Sequence, residues 1–205
     1  MKRPVWAVVP AKDPTRGKSR LREVLGDDER ARFARQLLEH VLTVLSDCPD
    51  IDGILVATDG DEVAELARAR GAAVLRDGEG HGLAAIVDAA LTDVARRGAR
   101  SALVLMADLP QLGVRDVRRL LEPLATHDVV IARDRKGCHT NALAVAPPTV
   151  IGTRFGRADS FEAHCSAARQ ADLALAVVQD ERVAFDVDSP EDLASFQASG
   201  ASILP

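Results

Sequence analysis

Short apolar runs alternate with helical patterns along most of this chain, and that alternation limits the fold more than any other feature. The runs fall at residues 5–9, 54–57, 73–75, 102–106 and 129–132. Between them, residues 28–45, 61–70, 83–97 and 114–124 have helical periodicity. In the first of these, Ala34, Leu37, Leu38, Val41, Leu42 and Leu45 recur at intervals of three and four, which puts them on one helix face. Gly71 and Gly98 stand where two of the helices should stop. The run Ala102-Leu103-Val104-Leu105-Met106 has no polar alternation, so it predicts a central strand buried on both faces. Strands separated by helices of this length imply parallel pairing through right-handed crossovers. Such doubly wound sheets present ligands at the carboxyl ends of their strands.

Beyond residue 132 the pattern changes. Residues 141–146 read as a strand, 159–171 as a helix, and 173–178 and 183–187 as two closely spaced strands. Ser189 and Pro190 then open a last helix, with serine as N-cap and proline at the first helical position. The expected class is α/β: a mixed, mostly parallel sheet flanked by helices, with antiparallel strands in the C-terminal half. No repeat, low-complexity tract or linker interrupts the chain, so residues 1–205 read as a single domain.

Composition excludes several function classes. A net charge of −5, 3% aromatic residues and no tyrosine argue against a nucleic-acid binder. No stretch of about 18 apolar residues is present, so no membrane span is expected. The apolar run after Lys2 and Arg3 is too short for a signal peptide, which points to the cytoplasm. Cys48, Cys138 and Cys165 are far apart and odd in number, which suits buried or incidental thiols rather than zinc or disulfides.

Five segments could carry chemistry. Pro10-Ala11-Lys12-Asp13-Pro14-Thr15-Arg16-Gly17-Lys18-Ser19-Arg20 follows the first strand directly and holds four cations. Backbone amides and cations in such a loop suit a polyphosphate, although neither GxxxxGK[ST] nor GxGxxG is present. Asp108 follows the central strand, where a hard carboxylate is well placed for Mg²⁺ or merely starts the turn before Pro110. Asp186 and Asp188 would point to one side of a strand, where two like charges need a cation or solvent between them. His139, Thr140 and Asn141 run straight into a strand, so Thr140 and Asn141 could display their side chains over the sheet edge. Gly156 and Ser160 could open a helix with an anion-binding N-terminus. The histidines His139 and His164 read first as structural or surface residues. No metal-ligand histidine spacing and no GxSxG motif appears.

Taken in order, these segments resemble the guanylyltransferases of coenzyme F-420 biosynthesis. The resemblance is carried by PAK…GKSRL, VATDG, GLAAIVDAA, LMADLP, HTNAL, FG…SFEAH and DVDSPEDL, and it spans nearly the whole chain. It implies a nucleotidyltransferase-type, Rossmann-like fold that uses GTP and Mg²⁺. The implied acceptor is phosphoenolpyruvate, 2-phospho-L-lactate or 3-phospho-D-glycerate, with homodimers among the related enzymes. It places GTP near Pro10, Ala11, Lys12, Lys18, Ser19, Arg20, Asp59 and Gly82. Metal ligation falls to Asp108, Asp186 and Asp188, and Lys18 and Asp108 become the catalytic pair. The acceptor meets His139, Thr140, Gly156 and Ser160. Ala84 stands where the family pattern has an asparagine, and the segment from Phe155 to Ser160 is one residue longer than the family's FGxGS turn. The implied reaction is attack by the acceptor's phosphate oxygen on the α-phosphorus of GTP, with pyrophosphate leaving. Against a molybdopterin guanylyltransferase, or a sugar-phosphate or cytidylyl transferase, the glycine-rich LAAGxSxRMG start is absent. Against a non-catalytic nucleotide-binding regulator, all three carboxylates are present.

Overall fold

A computed structural model describes residues 4–76 and 82–200. Among these residues, seven strands form one sheet in the order β3-β2-β1-β4-β6-β5-β7. They are β1 (Val5–Pro10), β2 (Gly53–Thr58), β3 (Ala73–Arg76), β4 (Ser101–Leu105), β5 (Val129–Arg133), β6 (Thr140–Val145) and β7 (Leu175–Val177). The helices are α1 (Asp27–Ser46), α2 (Asp61–Ala69), α3 (Leu83–Arg96), α4 (Val114–Leu121), α5 (Ser160–Gln170) and α6 (Pro190–Ala198). A 3-10 turn over Ser19–Glu23 precedes α1.

The pattern of burial explains this arrangement. In β4, Leu103 and Leu105 enter one core with α1, α2 and α4, while Ala102 and Val104 enter a second core with α3 and α5. β1 divides in the same way, with Ala7 and Val9 on one side and Val8 on the other. A strand covered on both faces has no polar side to show, which is why its sequence reads as a continuous apolar run. β1, β2, β3 and β4 are mutually parallel. β6 runs antiparallel to both β4 and β5, and β7 adds parallel to β5. No helix among the described residues is long and apolar enough to cross a membrane.

One expected strand is absent. Residues 181–184 form turns and residues 185–188 are irregular. Asp180 ends the strand potential here: its carbonyl accepts the Ala184 N–H at 2.8 Å and its side chain accepts the Arg182 N–H at 3.0 Å. Phe185 and Val187 instead fill a third small core with Leu21, Leu193 and Phe196. Their alternation reflects packing on α6, not pairing in the sheet. Cys48, Cys138 and Cys165 are free thiols.

The antiparallel course of β6 positions the site. Met106 donates its N–H to Asn141 O at 3.0 Å, so the start of β6 lies beside the end of β4. Thr140 and Asn141 therefore reach the sheet edge that carries the β1 loop and Asp108.

Candidate active site

The loop after β1 is tied down by its own side chains. Asp13 Oδ1 accepts from the Thr15 N–H at 2.9 Å and from the Thr15 hydroxyl at 2.6 Å. The bond from the Thr15 hydroxyl is the main reason the Asp13 carboxyl lies below its ordinary value. Asp59, after β2, accepts the Asp13 N–H at 3.2 Å and pairs with Arg16 at 2.8 Å. Gly60 permits this approach, because a Cβ there would stand only 3.0 Å from Asp13 Cα. From below, the buried Arg30 of α1 donates to Gly17 O at 2.7 Å and to Thr15 O at 3.3 Å, and pairs with Asp27.

The loop ends at Lys18, whose φ of 51° is left-handed. A non-glycine residue there costs of order 1 kcal/mol, and such strain gathers at functional sites. The result is an ammonium held between two carboxylates, 2.6 Å from Asp108 Oδ2 and 2.7 Å from Asp188 Oδ1. Burial works against the charged lysine, but Asp108 and Asp188 outweigh it and raise its pKa above the ordinary value.

Asp186 joins this pair. Among the described residues, Asp108, Asp186 and Asp188 each offer a carboxylate oxygen within 4.8 Å of the others. Burial first, and then the charge of Asp108, push the Asp186 carboxyl up to about 6, with the Asn141 amide 3.3 Å away offsetting part of the rise. Burial also works to raise Asp188, yet Lys18 and then Arg20 prevail and hold it below the usual range. Asp108 Oδ1 is buried and has no hydrogen-bond partner. An orphaned carboxylate oxygen, a like-charged trio and hard oxygen donors together fit a divalent cation.

Two cavities meet at this cluster. One, of about 330 Å³, is lined by Pro10, Ala11, Lys12, Lys18 and Asp59. The other, of about 550 Å³, is lined by Arg20, His139, Thr140, Gly156 and Ser160. Lys12, Leu83, Met106, Asp108 and Asp188 belong to both. The expected acceptor residues line the second cavity, and Pro10, Ala11, Lys18 and Asp59 line the first; Arg20, expected beside the nucleotide, lines the second instead, and Asp186 also lines only the second. Ser19 and Gly82 line neither: Ser19 is exposed in the 3-10 turn, and Gly82 is the exposed N-cap of α3.

Several supporting residues carried no site assignment in the sequence. Asp134 Oδ1 accepts the N–H groups of Cys138 and His139, and its Oδ2 lies 3.1 Å from His139 Nδ1, so it fixes the rim of the second cavity. Asn141 donates to Val183 O at 3.0 Å as well as to Asp186. His164 is wholly buried between Thr140 and Arg154. Arg30 could have been found, since it continues the stripe of half-buried Ala34 and buried Leu37 and Leu38 by one turn.

A family model described as guanylyl transferase CofC like matches residues 5–202. The chain belongs to this CofC-like guanylyl transferase family. Its relatives include a phosphoenolpyruvate guanylyltransferase of Sphaerobacter thermophilus, 39% identical over 91% of this chain and 89% of that protein. A 3-phospho-D-glycerate guanylyltransferase of Phenylobacterium zucineum is 34% identical over 85% and 81%. A 2-phospho-L-lactate guanylyltransferase of Methanothermobacter thermautotrophicus is 30% identical over 91% and 81%. Among solved structures, a protein provisionally assigned as a nucleotide-diphospho-sugar transferase from Desulfovibrio desulfuricans superposes with a TM-score of 0.80. That match has 20% identity and covers 96% of this chain and 87% of the other, so it bears on the fold alone. In this CofC-like guanylyl transferase, Asp108 and Asp188 lie where the two cavities meet.

Proposed function

We propose that this guanylyltransferase, acting as one domain over residues 1–205, transfers GMP from GTP to the phosphate of a three-carbon phospho-acid and releases pyrophosphate. One observation carries the reading: Asp108 and Asp188 form part of the common wall of two cavities, with Lys12 and Lys18 lining one and Lys12, Arg20 and Asp186 lining the other. Phosphoenolpyruvate is the acceptor to expect first, because relatives at 39% identity carry that name. The product is then the nucleotide-linked acid that the sequence resemblance assigns to coenzyme F-420 biosynthesis.

The acceptor's phosphate oxygen is anionic near neutral pH, so the step needs no general base. The obstacle is repulsion between two anions, together with the charge that develops on pyrophosphate. Lys12, Lys18 and the β1 loop amides would hold the triphosphate, while Arg20, Thr140 and Ser160 would hold the acceptor's anionic groups. Asp108, Asp186 and Asp188 would ligate Mg²⁺, which when bound supplies positive charge to the phosphate oxygens. Rate enhancement then comes from positioning and electrostatics.

The test is pyrophosphate release from GTP and Mg²⁺ with phosphoenolpyruvate, 2-phospho-L-lactate, 3-phospho-D-glycerate or no acceptor. Release with one acid alone is the expected result. Silence with all three acids, while GTP still binds, would refute the reading.

A further inference from the structure

His164 has no exposed surface and stands behind the acceptor cavity on α5. Its ring meets the Arg154 N–H, the Thr140 hydroxyl and the backbone carbonyl of Ser160, and the directions of these contacts can be worked out. The backbone N–H of Arg154 lies 2.7 Å from Nε2. A peptide nitrogen can only donate, so Nε2 carries a lone pair and the neutral ring has its proton on Nδ1. Burial keeps the imidazole neutral, holding its pKa down at about 4. Phe155 packs edge-on to the ring with centroids 4.8 Å apart, and a flipped ring would lose the Arg154 bond.

Nδ1 is 3.0 Å from Thr140 Oγ1. With the proton on Nδ1, the imidazole donates toward the Ser160 carbonyl and the threonine oxygen, and Thr140 cannot donate to it. The hydroxyl proton of Thr140 is then free for another partner, and Thr140 lines the acceptor cavity. Ser160 repeats the logic. Its Oγ accepts the Thr140 N–H at 3.1 Å, which leaves its hydroxyl proton available in the same cavity.

We propose that His164 is a positioning residue that makes the Thr140 hydroxyl a donor into the acceptor cavity, where Thr140 and Ser160 together bind one ionised oxygen of the phospho-acid. The inference rests on the guanylyltransferase reading above. Two hydroxyl donors in one cavity suit a carboxylate or phosphate oxygen, which only accepts.

The first measurement is the ¹⁵N spectrum of the wild-type imidazoles at pH 7. Protonated Nδ1 and bare Nε2 are expected for His164, and a protonated Nε2 would overturn the inference. Kinetics of three variants follow. In His164→Asn the amide nitrogen reaches the Nδ1 position and keeps a donor to Thr140. In His164→Gln the amide reaches the Nε2 position and keeps only the partner of Arg154. His164→Gln should raise the KM for the phospho-acid by about tenfold or more with the KM for GTP unchanged, while His164→Asn stays within a few fold. Thr140→Val should match His164→Gln, and the double variant should lose nothing further. If His164→Gln kept the wild-type acceptor KM while His164→Asn lost it, the histidine would be a prop for residues 152–156 and the inference would fail. Should His164→Gln not fold, Thr140→Val against Thr140→Ser decides: only the serine should restore the acceptor KM. A wild-type protein inert toward all three acids would refute the functional reading, whereas the tautomer is read without turnover.

Discussion

Replacing Asp186 by asparagine should stabilise the metal-free protein at neutral pH while removing most of its turnover. The folded carboxyl titrates at about 6 against an ordinary value of 3.8. A folded pKa raised above the unfolded one gives stability that is fully present below 3.8 and is lost as the pH rises through about 6. At pH 7.5 the ionised Asp186 therefore costs the fold about 2–3 kcal/mol, since each tenfold change in the proton equilibrium corresponds to about 1.4 kcal/mol. Asparagine keeps an oxygen for the Asn141 amide but cannot ionise, so it escapes that cost. Urea unfolding in EDTA should find Asp186→Asn more stable than wild type by about 2–3 kcal/mol at pH 7.5, or about 5–10 °C in Tm. At pH 4 the advantage should shrink toward zero, because the wild-type carboxyl is then protonated. Saturating Mg²⁺ should stabilise the wild type more than the variant. Equal or lower stability of the variant at pH 7.5, or an advantage independent of pH, would refute the claim that burial and like charge strain this carboxyl.

Asp108→Asn should lower kcat by about a thousandfold with Tm within a few degrees of wild type, measured by pyrophosphate release and thermal melting. His164 acts on stability with the opposite sign to Asp186. Its folded pKa of about 4 lies below the ordinary 6.5, so its contribution is present above 6.5 and lost as the pH falls through about 4. That loss is about 3 kcal/mol, and NMR titration should find the ring still neutral at pH 5.5. Arg30→Met should raise the KM for GTP by about tenfold, because Gly17 O and Thr15 O lose their donor and the β1 loop loosens.

The parallel half of the fold was legible because two-sided burial leaves an unmistakable pattern in β1, β2 and β4. Residues 183–187 were misread for a related reason. Alternation records which side chains are buried, and it cannot tell a sheet neighbour from α6. Asp108 was legible as a candidate because it lies just past β4, and Asp188 because it precedes the Ser189 cap, whereas Asp186 stood out only through an alternation that the structure does not form into a strand. Their convergence was not legible, since Asp108 and Asp186 are separated in sequence by residues that form β5, β6, α5 and β7. Arg30 and Asp134 went unassigned because a buried charge that bonds main-chain atoms leaves no motif. Their partners at Gly17, Cys138 and His139 are backbone groups, which every residue has.

The reversed strand β6 has a consequence for how such a protein can diversify. The cavity proposed for the nucleotide is lined mostly by residues of the parallel half, whereas His139 and Thr140 reach the other cavity from the β5–β6 hairpin. A hairpin can gain or lose residues at its tip while both its strands keep their register. Acceptor choice can therefore drift, or be redesigned by grafting one short connection, without disturbing the elements that hold Lys18 against Asp108. A library confined to residues 134–139 and 153–159 would sample new acids on an otherwise unchanged catalyst.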